Sequence, residues 1–157
     1  MGKIDALNTL LARMAGRRAY VDTNIFIFFL QRDERYFSVV APIIQACSSR
    51  RIFGVTGDLV LAEVMVHPYR SGDATVIAQF RSFFGQKNFL SIAAHEARFF
   101  DEASMIAGQK RMKLIDAIHY RTALHAGCQF FLTHDQGIPS SDSMEVIQIG
   151  DFLQLGR

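Results

Sequence analysis

The sequence predicts an α/β protein, a three-layer α/β/α sandwich in which helices cover both faces of a central, mainly parallel sheet. Short apolar runs of strand length alternate with longer segments of helical period, and parallel strands need crossover helices between them. With 50% hydrophobic and only 20% charged residues, the 157-residue chain has ample core for one compact domain. No low-complexity segment, linker or internal repeat interrupts it, so residues 1–157 are expected to form a single domain, with residues 1–18 as an N-terminal helical extension.

Each element has a local reason. Ile4, Leu7, Leu10, Leu11 and Met14 recur at helical spacing, and Gly16-Arg17-Arg18 closes that helix ahead of Ala19-Tyr20-Val21, the first buried strand. After Asp22-Thr23-Asn24 the apolar stretch to Leu30 is helical, and a second helical pattern runs from Tyr36 to Ser49, where Pro42 is expected to break it in two. Ile52 to Thr56 reads as a strand, followed by a helix from Asp58 to His67 that Pro68 stops. A helix over Ala74 to Phe84, a strand over Phe89 to Ile92, and helices over His95 to Lys110 and Ile115 to His125 follow, the last ended by Gly127. Gln129 to Thr133 and Glu145 to Ile149 complete the strands.

Composition excludes several classes. The apolar content argues against disorder, and no apolar run approaches the ~20 residues of a membrane span. The N-terminus lacks the pattern of a signal peptide, so a cytoplasmic location is expected. Cys47 and Cys128 are scattered in apolar surroundings, which suits reduced core thiols and neither a disulfide framework nor a zinc site. A bound metal would therefore be held by oxygen. The net charge of +2 is compatible with nucleic acid without requiring it. A phosphorylatable receiver domain needs a central aspartate after the third strand, and Ala93-Ala94-His95-Glu96 stands there instead. His119 and His125 do not share a helical face, so they make a poor zinc pair.

Four acids remain: Asp22, Glu63, Asp116 and Asp135. Asp22 and Asp135 lie just past apolar strands, where ligands bind in open α/β sheets. Each also has a structural explanation. Asp22 suits a helix cap, Asp116 the favourable end of a helix dipole, and Asp135-Gln136-Gly137 an ordinary turn. Glu63 is harder to explain, because with helical neighbours Leu59, Val60, Val66 and His67 it interrupts a helix that reads as apolar nearly all round, and a carboxylate there needs a partner or a metal. Taken together, two acids at sheet ends and two on crossover helices can converge on one cleft. Clustered carboxylates repel, and a hard divalent cation such as Mg²⁺ or Mn²⁺ relieves that repulsion.

Val21-Asp22-Thr23-Asn24-Ile25, Leu61-Ala62-Glu63-Val64, Ile115-Asp116-Ala117-Ile118-His119 and Phe131-Leu132-Thr133-His134-Asp135 resemble the successive motifs of PIN-domain ribonucleases, most like the VapC-type toxins of toxin–antitoxin pairs. The resemblance spans about Tyr20 to Phe152. It implies that Asp22, Glu63, Asp116 and Asp135 are catalytic and hold one or two Mg²⁺ or Mn²⁺ ions, with Asn24 and Thr133 orienting them. It further implies an RNA substrate, a homodimer and a small antitoxin partner. His134 is a departure, since the family more often carries a small or amide side chain there. Lys110, Arg111 and Lys113 lead into the helix of Asp116 and, with His119 and Tyr120 on that helix, are the expected RNA contacts. Two alternatives share these motifs: an RNA-processing nuclease with no toxin role, and a catalytically silent PIN-like module that binds RNA or protein.

Overall fold

The apolar runs become five strands: β1 (Arg18–Val21), β2 (Phe53–Gly57), β3 (Ser91–Ala93), β4 (Phe130–Thr133) and β5 (Glu145–Gln148). They form one sheet in the order β3-β2-β1-β4-β5, with every pairing parallel. The computed structural model describes residues 2–154; Met1 and residues 155–157, included in the expected 1–157 domain, lie outside the described residues. The central strands β1 and β4 are buried along almost their whole length, which is why they read as continuous apolar runs and not as alternating ones.

The helices are α1 (Lys3–Met14), α2 (Thr23–Leu30), α3 (Phe37–Ser48), α4 (Asp58–Ser71), α5 (Ala74–Phe84), α6 (Ala97–Lys110), α7 (Leu114–His125) and the short α8 (Asp151–Gln154). From β1 the chain steps to β2 and then β3; it then crosses back to β4 and β5. Right-handed crossovers therefore put α2 to α5 on one face of the sheet and α6 and α7 on the other. The contacts agree, since α2 packs on α3 and α4, α4 on α5, and α6 on α7. The order reverses between β1 and β4, so a crevice opens beyond the carboxyl ends of those two strands.

The core is built on this frame. Leu7, Leu10, Leu11 and Met14 form the inward stripe of α1, which packs on α3 and α8, while Arg13 pairs with Glu145 on β5. Tyr20 stacks on Phe131 across β1 and β4, with ring centroids 4.9 Å apart. Phe26, Phe83, Phe84 and Phe89 meet edge to face between α2 and α5. Cys47 and Cys128 are buried free thiols, each pushed up to about 12 chiefly by burial. Among the described residues no helix is long and apolar enough to cross a membrane.

Several boundaries differ from the sequence expectation. Pro42 does not split α3, because the carbonyl it leaves without a partner belongs to Ser38 on the exposed side. Pro68 does not stop α4: its ring is buried, and the helix runs on to Ser71, where Gly72 adopts φ 67° and its N–H bonds Pro68 O at 3.2 Å. The third strand begins two residues later than expected, since Phe89 is spent as a core side chain. The helix expected from His95 starts at Ala97, because the His95 ring turns back to Asp58. The short α8 had no clear sequence signal.

Phe131 is fully buried at the middle of β4 against Tyr20. Phe131→Ala is expected to cost about 3–5 kcal/mol in urea unfolding, with an unchanged denaturant slope.

Candidate active site

The crevice at the strand reversal is built around one hydroxyl. Thr133, the last residue of β4, is fully buried; its Oγ1 donates to Asp22 Oδ2 at 2.7 Å and accepts the Asp135 N–H at 2.9 Å. Asp22 continues β1, donating its N–H to Leu132 O at 3.0 Å, and caps α2 by accepting the Thr23 N–H at 2.8 Å. The cap role and the cleft position thus coexist in one side chain. Asn24 joins the two strand ends as well, its Oδ1 accepting the His134 N–H at 3.0 Å and its Nδ2 lying 3.4 Å from Asp22 Oδ2.

Two helices deliver the remaining acids. Glu63 Oε1 accepts from Thr23 Oγ1 at 2.9 Å and from His119 Nε2 at 2.5 Å. His119, 2% exposed, also lies 3.9 Å from Asp22 Oδ1, and its Nδ1 meets the buried Tyr20 hydroxyl at 2.7 Å. Asp116 sits half-buried in the first turn of α7. Asp135 accepts the Gly137 N–H at 2.7 Å through Oδ1. A Cβ on Gly137 would lie 3.2 Å from that oxygen and 3.7 Å from Asp116 Oδ2, so the two carboxylates flank one point in space.

Electrostatics ties the acids together. Burial pushes the Asp22 carboxyl up and the charge of Glu63 adds to this, while His119 and the bonds from Thr133 and Thr23 oppose it. Asp116 is also raised, by burial first and then by the charges of Asp135 and Asp22, against the pull of Lys113 and His119. Burial alone would lower His119, but its bond to Glu63 and the charges of Asp22, Glu63 and Asp116 hold it above its usual value. Asp22 feels Glu63, and Asp116 feels Asp135 and Asp22, which makes one electrostatic neighbourhood of four carboxylates. Among the described residues no three Asp, Glu, His or Cys side chains stand in a finished metal-ligand set.

Some expectations need correction. His119 and Tyr120 are buried, so neither presents a surface to RNA; His119 is instead the internal partner of Glu63, and Tyr120 packs under Lys110, whose Nζ lies 5.7 Å from its ring centroid. The helix of Glu63 is not buried all round, because Val66 and Tyr69 are 52% and 53% exposed, and the Glu63 side chain keeps 31% of its surface. What explains Glu63 is its pair of partners, not deep burial. Lys110, Arg111 and Lys113 are exposed, and Lys113 is close enough to act on Asp116. Sequence reasoning missed Tyr20 and Thr23. The available signal was a phenol inside an otherwise apolar central strand, where a hydroxyl needs a bonding partner.

Comparison with known proteins follows the same outline. The family model described as PIN domain matches residues 19–142. A toxin–antitoxin complex from Klebsiella pneumoniae superposes with a TM-score of 0.63 at 16% identity, covering 83% of this chain and 97% of that one. Mycobacterium tuberculosis VapC20, described as a sarcin–ricin loop cleaving toxin, gives 0.58 at 13% identity, over 72% and 86% of the two chains. VapBC2 from Rickettsia felis, bound to a DNA fragment from its promoter, gives 0.56 at 14% identity, over 83% and 98%. No curated protein matches the sequence.

The raised Asp116 carboxyl implies that its ionisation costs stability in full above the folded pKa, a cost lost progressively as pH falls from there to the lower unfolded value. In chelating buffer at pH ~7.5, Asp116→Asn should melt at a higher temperature than the parent, and the gap should close on acidification. A variant that melts lower at both pH values would remove repulsion as a feature of the cleft.

Proposed function

The chain belongs to the PIN-domain family, and we propose that it is a metal-dependent endoribonuclease acting as the toxin of a toxin–antitoxin pair. The observation that carries this reading is the gathering of Asp22, Glu63, Asp116 and Asp135 at the strand reversal, with Asp116 raised by burial first and then by the charges of Asp135 and Asp22. The donor chemistry fits a hard divalent ion, since every acid offers oxygen and the imidazole nitrogen nearest them is engaged by Glu63. When bound, one or two Mg²⁺ or Mn²⁺ ions supply charge against the phosphoryl oxygens and acidify water for in-line attack on the RNA phosphodiester.

The chain's own residues do the rest. Asp22 and Asp116 are the principal ligands in this reading, with Glu63 and Asp135 binding directly or through water. Thr133 and Asn24 hold the Asp22 carboxylate in place from β4 and α2. His119 fixes one oxygen of Glu63, leaving the other for ligand or water. Attack by water and not by the ribose 2′-OH leaves a 5′-phosphate and a 3′-hydroxyl. Lys110, Arg111 and Lys113 receive the RNA backbone beside Asp116. A small antitoxin and a second copy of the chain are the proposed protein partners, the antitoxin supported by similarity in fold to proteins solved as toxin–antitoxin complexes. An RNA substrate suits a cytoplasmic location.

Asp22→Asn should lower Mn²⁺-dependent cleavage of single-stranded RNA by at least about 10²-fold while the circular dichroism spectrum is kept. Retained metal-dependent cleavage would overturn the assignment. Replacing Lys110, Arg111 and Lys113 by Ala should reduce the dependence of log Kd on log salt by about 0.7 for each phosphate no longer neutralised; an unchanged slope would place RNA elsewhere.

A further inference from the structure

One polar cluster lies outside the acid cleft and is unused by the proposed chemistry. β2 and β3 end side by side, with Gly57 opposite Ala93. Asp58 opens α4 directly after β2, and His95 follows β3 by two residues. The His95 side chain, only 3% exposed, pairs through Nδ1 with Asp58 Oδ1, and its backbone N–H lies 3.3 Å from Asp58 Oδ2. On the other side His95 Nε2 lies 2.8 Å from Thr122 Oγ1 on α7. The Thr122 hydroxyl gives its own proton to Ile118 O at 2.7 Å, so its lone pair faces the imidazole. Each ring nitrogen therefore has a polar partner, one on each of two helices.

The surroundings are shaped to this ring. Phe99 packs against it at 4.9 Å between centroids. A Cβ on Gly57 would come within 2.9 Å of His95 Cε1, closer than the ring allows, and 3.4 Å of Thr122 Cγ2, so glycine leaves the space that His95 fills.

We propose that His95 is a positioning residue: by joining Asp58 to Thr122 it fixes α7 against the start of α4 and sets how Glu63 meets His119 and Asp116. Glu63 stands little more than one turn beyond Asp58 on α4, and His119 stands one turn before Thr122 on α7. The two helices lie on opposite faces of the sheet and are tied to each other by the His95 clasp and the His119–Glu63 bond. Slippage at the clasp is thus passed to the second tie, where the acids converge. His95 touches neither the four acids nor the proposed substrate path, so its effect is exerted through the geometry of others. The consequence for catalysis rests on the reading of the acids as a metal site; the consequence for the His119–Glu63 bond does not.

The test compares His95→Gln, Thr122→Val and Thr122→Ser with the parent. In metal-free protein, the His119 ring ¹⁵N resonances should move in His95→Gln and Thr122→Val and return towards parent positions in Thr122→Ser, which keeps the hydroxyl. Mn²⁺ titrated alone should bind about 10- to 100-fold more weakly in the first two. With single-stranded RNA, kcat should fall accordingly while KM at saturating Mn²⁺ stays constant. Unchanged His119 resonances together with unchanged Mn²⁺ affinity, even with a lowered melting temperature, would overturn the proposal. If the parent binds no Mn²⁺, the nuclease reading fails and the His119 resonances still decide the role of His95. Should His95→Gln fail to fold, Thr122→Val preserves shape and removes only the hydroxyl that meets His95 Nε2 and Ile118 O.

Discussion

The cleft depends on the Thr133 hydroxyl at the point where the strand order reverses. One oxygen atom donates to Asp22 and accepts from the backbone of Asp135, so the ends of β1 and β4 are locked to each other just where the sheet would otherwise splay open. A buried hydroxyl contributes only about 1 kcal/mol net when its bonds are made, but leaving it or its partners unmade costs more. That asymmetry favours the full arrangement over any partial one. Asn24 repeats the tie with a second pair of bonds, and Thr23 extends it to Glu63. Three successive residues, Asp22-Thr23-Asn24, thus reach β4, α4 and their own helix. This short stretch matters out of proportion to its length.

Gathering carboxylates in a half-buried cleft works against folding, and the electrostatics shows where the opposition is relieved. His119 is the internal group that faces both Asp22 and Glu63, and it is held above its usual pKa by them in spite of its burial. The Glu63 carboxylate can only accept, so His119 Nε2 carries the hydrogen in that bond, and Tyr20 braces the opposite nitrogen. Asp22 and Glu63 therefore have a local counterweight. Asp116 and Asp135 have much less: Lys113 is exposed, and the two acids face a common point over Gly137. Uncompensated charge is concentrated at that side of the cleft, where a divalent cation would gain most.

Strands and helices were legible in the sequence because burial on both faces leaves an apolar run, while crossover helices leave a period of 3.6. Less legible was which apolar side chains the fold would leave in water. Val66 counted towards an apolar helix and is exposed, so Glu63 is less isolated than that helix would make it. His119 and Tyr120 erred the other way, expected at the surface because they share a helix with Asp116; with α6 on one side and the sheet on the other, α7 is buried from Ala117 to Tyr120. Pro68 misled because a buried ring can remain inside a helix. The His95 cluster was invisible for another reason: its members are 37 and 27 residues apart, and nothing local in Asp58 or Thr122 anticipates the meeting.

Asp135 shows how a turn residue can serve a cleft without leaving its turn. One of its oxygens is committed to the Gly137 N–H, which restrains the side chain on the side of Asp116. A freely rotating carboxylate would swing out to relieve repulsion and, in the proposed metal site, would have to be ordered again for a cation to bind, at a cost of side-chain entropy. The turn meets that cost at folding. Asp22, capped into α2, and Glu63, held by His119 and Thr23, are restrained in the same way by bonds that look merely structural one at a time. The cap, the turn and the ion pair each restrain one acid, and in the proposed reading the structural and functional roles of these residues coincide.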